Sequence, residues 1–123
     1  MSGQESRLLG RWGEALAAEH LRRAGYQILA ANWRSRFGEI DLIAADQNYL
    51  CFVEVMLRKS AAFGGAGEFV DRRKQNKLRL TAELYLSCHQ TRLQPRFDVI
   101  EVYAPQGTDT KAPRVRHIEN AFF

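Results

Sequence analysis

Apolar residues recur at helical spacing near the start of the chain. Leu8, Leu9, Trp12 and Leu16 make one stripe and predict a helix over residues 5–24. Gly10, Ala17, Ala18 and Leu21 form a second flank of mostly small residues, which lets another element approach closely, and Glu14 lies on that flank. Gly25 is a natural terminator. The period then changes. Residues 26–34 read as a strand, and 38–46 and 49–57 as two more, joined as a hairpin at Asp46-Gln47-Asn48. The centres of that hairpin, residues 40–43 and 50–53, are mostly apolar on both faces, which predicts central strands covered on both sides. Residues 58–67 are basic and then glycine-rich and read as a mobile loop.

A long helix is predicted over 68–88, with Val70, Leu78, Ala82 and Tyr85 on one face and Arg72, Asn76, Arg79 and Glu83 opposite. A strand over 96–104, a loop over 105–113 and a short strand near 114–119 complete the chain. Neither an internal repeat nor a linker interrupts it. The expectation is one domain over residues 1–123, an α/β sandwich of order α-β-β-β-α-β-β with a mixed sheet.

Composition narrows this only a little. With 123 residues and 46% hydrophobic content, the chain can bury roughly two-thirds of its unfolded surface. A charged fraction of 26% is that of a globular and not a disordered protein. The net charge of +4 suits a polyanionic partner without requiring one. Cys51 and Cys88 form no CxxC pair and read as reduced thiols. With no run of signal-peptide or membrane-spanning length, the expected location is cytoplasmic.

Carboxylates change the picture more. Strands alternate faces with period two, so Glu39 and Asp41 are expected on one face, and Glu54 and Met56 on one face of the next strand. If the strands pair, the acids converge. Such a cluster is costly unless a cation joins it, and a divalent metal is the usual answer. Glu14 either pairs with Arg7 or Arg11 on its own helix or reaches over to the cluster. Asp98 reads as a structural partner for a nearby basic residue. His20, His89 and His117 are isolated in sequence and receive no role.

Asp41, twelve intervening residues, then Glu54 with Met56 two residues on, resembles the PD-(D/E)xK nuclease superfamily. The match is closer than that. Gly10-x-x-Gly13-Glu14-x-x-Ala17, Gly25-Tyr26-x-Ile28-Leu29, Asn32-Trp33-Arg34, Gly38-Glu39-Ile40-Asp41-Leu42-Ile43 and Phe52-Val53-Glu54-Val55-x-x-Arg58 together resemble the bacterial YraN-like family, which is regarded as endonuclease-like and related to Holliday-junction resolvases. The resemblance covers nearly the whole chain. It implies a restriction-endonuclease-like α-β-β-β-α-β core with helices flanking a mixed central sheet. It also implies a metal-dependent endonuclease acting on DNA, including branched DNA, and a homodimer, since two strands must be cut.

Within that resemblance, Mg²⁺ (or Mn²⁺) would be held by Asp41, Glu54 and the Val55 carbonyl, with waters filling the octahedron. Glu14 would hold a metal-bound water or a second ion. Glu39, nearer the strand start, is equally placed for a rim role or a salt bridge to Arg34 or Arg36. The superfamily and the family both carry a lysine where this chain has Met56. A thioether neither donates a hydrogen bond nor carries charge. Arg58 has the parity to line the same face, though a guanidinium does not act as a base, and Lys59 has the wrong parity. Lys74 lies about 40° from both Val70 and Leu78 at 100° per residue. It must snorkel outward or point to Asp41 and Glu54, partly replacing the missing amine.

Arg34, Arg36, Arg58, Lys59, Arg72 and Arg73 either track a phosphate backbone, with Trp33 and Phe63 as stacking surface, or form a solvated rim. Beside the nuclease stand two other readings: a nucleic-acid-binding module impaired by Met56, and a protein-interaction scaffold that uses the sheet edge.

Overall fold

A computed structural model describes residues 3–59 and 70–122. Its elements are α1 (Gly3–Arg23), β1 (Gln27–Ser35), β2 (Gly38–Ala45), β3 (Tyr49–Arg58), α2 (Arg72–Cys88), β4 (Gln94–Tyr103) and β5 (Arg114–Phe122), with a 3-10 turn at Gly107–Asp109. Among the described residues the strands make one five-stranded sheet in the order β1-β2-β3-β4-β5. β3 and β4 run parallel while the other neighbours are antiparallel, so the sheet is mixed as expected. Among the described residues no helix is long and apolar enough to cross a membrane.

Both faces of the sheet are covered, which is why the central strands are apolar on both sides. On one face Ile40, Ile43, Leu50, Phe52 and Val99 pack with Val70 and with Leu78, Ala82 and Tyr85 of α2. On the other, Leu42, Ala44, Cys51, Val53, Ile100 and Val102 pack with Ala17, Ala18 and Leu21 of α1. The β2–β3 hairpin turns where its polar residues predict. Asp46 Oδ1 accepts the backbone N–H groups of Asn48 (2.8 Å) and Tyr49 (2.7 Å), an Asx-type turn. Gly25 takes φ +95° just past α1, where the Tyr26 N–H reaches the Leu21 carbonyl at 2.9 Å.

One expectation holds with a shift, and two need correction. The buried face of α1 is the small-residue flank with Gly13 in place of Gly10, that is Gly13, Ala17, Ala18 and Leu21, whereas Trp12 and Leu16 are only partly buried and Leu8 is 54% exposed. The helix lies close to β3 here: a Cβ on Gly13 would sit 2.8 Å from Leu57 Cδ2, so any larger residue would make Leu57 shift. α2 begins at Arg72 instead of residue 68, because Asp71 caps it, accepting from the Lys74 N–H at 2.8 Å. Residues 68 and 69 lie outside the described residues, as does the loop expected at 58–67 apart from Arg58, which ends β3, and Lys59, which follows it. β5 runs on to Phe122 and pairs with β4 through a bulge between Phe97 and Val99.

Candidate functional site

The site forms where strand pairing gives out. The β2–β3 ladder runs from Ala45↔Leu50 to Leu42↔Val53 and stops. Beyond that point the strands separate, and Asp41 Oδ2 accepts the Val55 N–H at 2.8 Å. The aspartate thus satisfies a backbone donor that the ladder leaves open. Glu54, next in line on β3, is buried at 8% exposure. Lys74 Nζ reaches its Oε1 at 2.8 Å from the first turns of α2, with half the lysine side chain still exposed. The lysine therefore meets the cluster, one of the two courses that its angular position on the helix left open. Met56 follows Glu54 on β3 and packs against the α2-side core.

Simple alternation breaks in β2 between Ile40 and Leu42. Ala30 and Ile43 pair on the α2 side, and Ala31 and Leu42 pair toward the α1 side. The next regular pair, Trp33 with Ile40, is back on the α2 side, although alternation would return it to the face of Ala31 and Leu42. Between these pairs Asn32 stands across from Asp41 with φ +52°, the left-handed region that asparagine tolerates better than most residues. That residue turns the hairpin over. Glu39 is thereby carried to the α1 side, where Asn32 Nδ2 donates both to Glu39 Oε1 (2.8 Å) and to Glu14 Oε1 on α1 (3.0 Å). Arg34 Nε lies 3.4 Å from Glu39 Oε2, which puts Glu39 in the rim salt bridge.

Electrostatics mark the fork as short of positive charge. Burial, the neighbouring Glu54 charge and, more distantly, Glu14 push the Asp41 carboxyl up to about 8, against the pull of the Val55 N–H. Glu14 is also raised, first by burial and then by Glu39 and Glu54, with the Asn32 amide opposing. Its hydrogen-bond partner is Asn32, and the Arg11 charge of its own helix also opposes the rise. Among the described residues no three histidine, cysteine or acidic side chains converge as a metal cage. The oxygen donors at the fork are Asp41, Glu54 and the adjoining backbone.

The six cations expected to meet nucleic acid separate into two groups. Arg34, Arg36, Lys59, Arg72 and Arg73 are exposed. Arg58 is not available in that way: its side chain is 13% exposed and its Nε donates to Glu101 Oε2 at 2.7 Å. Glu101 is wholly buried, in register with Met56, and also takes the Tyr103 hydroxyl (3.0 Å) and Arg116 (3.7 Å). Arg58 Nη2 lies 3.7 Å from Met56 Sδ. Glu101 carries no pattern in sequence, and Asn32, which opens the Asn32-Trp33-Arg34 motif, otherwise reads as an ordinary strand residue. An asparagine inside a β pattern is the only signal that could have found the turn-over.

A second polar centre sits away from the fork. Arg96 grips Asp98 with two bonds (2.9 and 2.8 Å), His117 Nε2 approaches Asp98 Oδ2 at 2.7 Å, and the Asn120 N–H donates to Oδ1 at 3.0 Å. Asp98 is thus the structural partner of a nearby basic residue, as expected, while His117, given no role by the sequence, is part of the same centre.

Comparison with known proteins agrees along the chain. Residues 13–102 match the model of the uncharacterised protein family UPF0102. The chain is 43% identical over 123 residues to a UPF0102 protein of Caldanaerobacter subterraneus subsp. tengcongensis, covering 99% of this chain and 100% of the relative. It is also 43% identical over 117 residues to one of Rhodococcus opacus (93% and 95% covered). A UPF0102 protein of Pseudomonas aeruginosa is 43% identical over 121 residues (97% and 95% covered). This chain, whose sequence resembles the YraN-like family, belongs to UPF0102.

Proposed function

We propose that this UPF0102 protein is a metal-dependent endonuclease that acts on DNA, branched DNA included. The observation that carries the reading is the fork: Asp41 and Glu54 side by side where two strands part, with Lys74 Nζ 2.8 Å from Glu54. Phosphodiester hydrolysis needs an activated water and stabilisation of charge on the phosphoryl oxygens. Mg²⁺ or Mn²⁺ fits the donor set, because these hard ions are held by one or two carboxylates plus carbonyl and water oxygens. Asp41 and Glu54 would hold it, with the Val55 carbonyl as the third donor. Such an ion supplies Lewis-acid stabilisation and a water of lowered pKa.

The chain's own groups do the rest. Asp41 is fixed by the Val55 N–H. Lys74, half-exposed and already on Glu54, is placed to donate a hydrogen bond to a water or a phosphoryl oxygen. It thereby takes the part of the lysine that Met56 replaces. Arg34, Arg36, Lys59, Arg72 and Arg73 are the exposed cations for the phosphate backbone. Cutting both strands of a duplex requires two such sites, so the expected partner besides DNA is a second copy of the chain.

A second reading, a DNA-binding module with impaired chemistry, is favoured by Met56 itself. Its sulfur lies against Arg58 and the α2-side core and offers no proton to a water. One experiment separates the two. The protein, Asp41→Ala, Lys74→Met and Met56→Lys are incubated with Mg²⁺ or Mn²⁺ and duplex, single-stranded, flap and four-way DNA. Cleavage by the original chain that Asp41→Ala and Lys74→Met both abolish supports the enzyme. Cleavage only by Met56→Lys supports the impaired module. Absence of DNA binding by every variant at low salt rejects both.

A further inference from the structure

We propose that Asn32 is a positioning residue of this site: it fixes the α1 carboxylate, Glu14, at the Asp41/Glu54 fork. The inference rests on the endonuclease reading and adds to it a group that touches neither substrate nor metal. Two independent observations meet in this residue. Its backbone is in the left-handed region at φ +52°, inside β1, where an L side chain is strained. Its side-chain amide spans two acids, Glu14 Oε1 at 3.0 Å and Glu39 Oε1 at 2.8 Å.

The strain has a definite result. Turning β1 over at Asn32 carries Glu39 to the α1 side, and only there can one amide reach both carboxylates. Without the amide, Glu14 and Glu39 repel each other directly, and both Glu39 and Glu54 already work against the charge on Glu14. An NH₂ group suits the task because it has two donors and no charge. A lysine there would neutralise one acid and compete with a cation for the fork. An aspartate would add a third negative charge. Glu39 is itself anchored by Arg34, so the line Glu14–Asn32–Glu39–Arg34 runs from the helix to the exposed rim and holds Glu14 from behind. Supports of this kind usually matter about 10- to 100-fold in metal affinity or rate.

Asn32→Gly is the informative variant, because glycine keeps the left-handed backbone and removes only the amide. Three readouts are taken on Asn32→Gly, Glu14→Gln and the double variant: Mn²⁺ affinity by titration calorimetry, kcat and KM on the best DNA substrate, and the thermal midpoint. The expected result is a loss of roughly 10-fold or more in kcat or Mn²⁺ affinity for Asn32→Gly. Its DNA KM and thermal midpoint should stay near the parent's, and the double variant should be no worse than Glu14→Gln alone. Unchanged kcat and Mn²⁺ affinity in Asn32→Gly, with an active parent, overturns the inference and leaves the endonuclease standing. Additive losses in the double variant also overturn it, since Asn32 would then not act through Glu14. A parent that takes up no Mn²⁺ and cuts no DNA overturns the endonuclease reading, and this role for Asn32 falls with it. Asn32→Ala, which loses amide and backbone tolerance together, shows how much of any effect is folding.

Discussion

Two aspartates in one sheet have opposite electrostatic fates. Asp98 is wholly buried, yet its carboxyl is held below the usual range: burial pushes it up, and His117, the two Arg96 bonds and the Asn120 N–H outweigh that. Asp41 is less buried, and its carboxyl is pushed up to about 8, because burial adds to Glu54 and Glu14 and only one N–H opposes them. Depth of burial does not separate the two; neighbouring charge does. The centre around Asp98 closes its own hydrogen bonds and holds β4, β5 and, through the Arg96–Tyr26 bond at 2.6 Å, the start of β1 together. The fork around Asp41 has one ammonium, Lys74 on Glu54, for two adjacent acids. On the proposed function, the first acid serves stability and the second chemistry.

The comparison breaks most visibly by removing each acid. Asp98→Ala leaves the buried Arg96 charge with only the exposed Glu119, 3.7 Å away, and should cost about 3 kcal/mol in urea unfolding. A loss under about 1 kcal/mol would mean that the Asp98 centre does not hold the fold. Asp41→Asn keeps an acceptor for the Val55 N–H and removes the cost of taking up a proton on folding. It should leave the metal-free protein as stable as the parent or more so, by roughly 1 kcal/mol at neutral pH, about the worth of one pKa unit. DNA cleavage should be lost at the same time.

Acidity sharpens the contrast further. An unperturbed aspartate titrates at about 3.9. Asp98 lies below that in the folded protein, so its contribution is present above about pH 4 and fades as the pH falls through the folded value. Asp41 lies above it. Between about pH 4 and pH 8 the folded chain holds a proton that the unfolded chain has released, so this contribution is greatest at low pH and declines as pH rises. Metal-free protein should therefore be most stable in mild acid. Chemical denaturation across pH 3–9 should show Asp41→Asn flattening only the alkaline limb. Flattening of the acid limb instead would invert the assignment.

Smaller effects follow at the edges of the fork. Lys74→Met leaves Glu54 without its ammonium. Because that lysine is half-exposed, the stability loss should be near 1 kcal/mol, far below that of Asp98→Ala. Arg34→Ala removes an exposed pair with Glu39 and should change stability by under about 0.5 kcal/mol. If Arg34 touches phosphate, the same variant should lower the salt slope of DNA binding by about one.

How much of this was legible in the chain differs from element to element. Apolar periodicity placed each helix and strand within a few residues, since burial of one face is a local property. Counting 100° per residue placed Lys74 on the apolar face of α2 and left two courses open to it, and the Glu54 pair decides between them. The same counting found two flanks on α1 without choosing the buried one. Leucines and a tryptophan mark an apolar stripe, but Gly13 and two alanines allow the closest approach to β3, and the helix turns that flank inward. Arg58 reads as an exposed cation until the parallel β3–β4 pairing brings Glu101 beside it.

The sequence by itself determined the order of elements, the two-faced apolar sheet, the family, and the pair Asp41 and Glu54 as the place to look. Only the tertiary structure decided which acid is satisfied and which is not. It ended the β2–β3 ladder at Leu42, turned β1 over at Asn32, gave Asp98 its arginine and histidine, and left Asp41 beside Glu54. The physical reason is range. Hydrophobic period and helix angle are fixed by neighbours along the chain, whereas the charge state of a carboxylate depends on groups tens of residues away that only folding brings within a few ångströms.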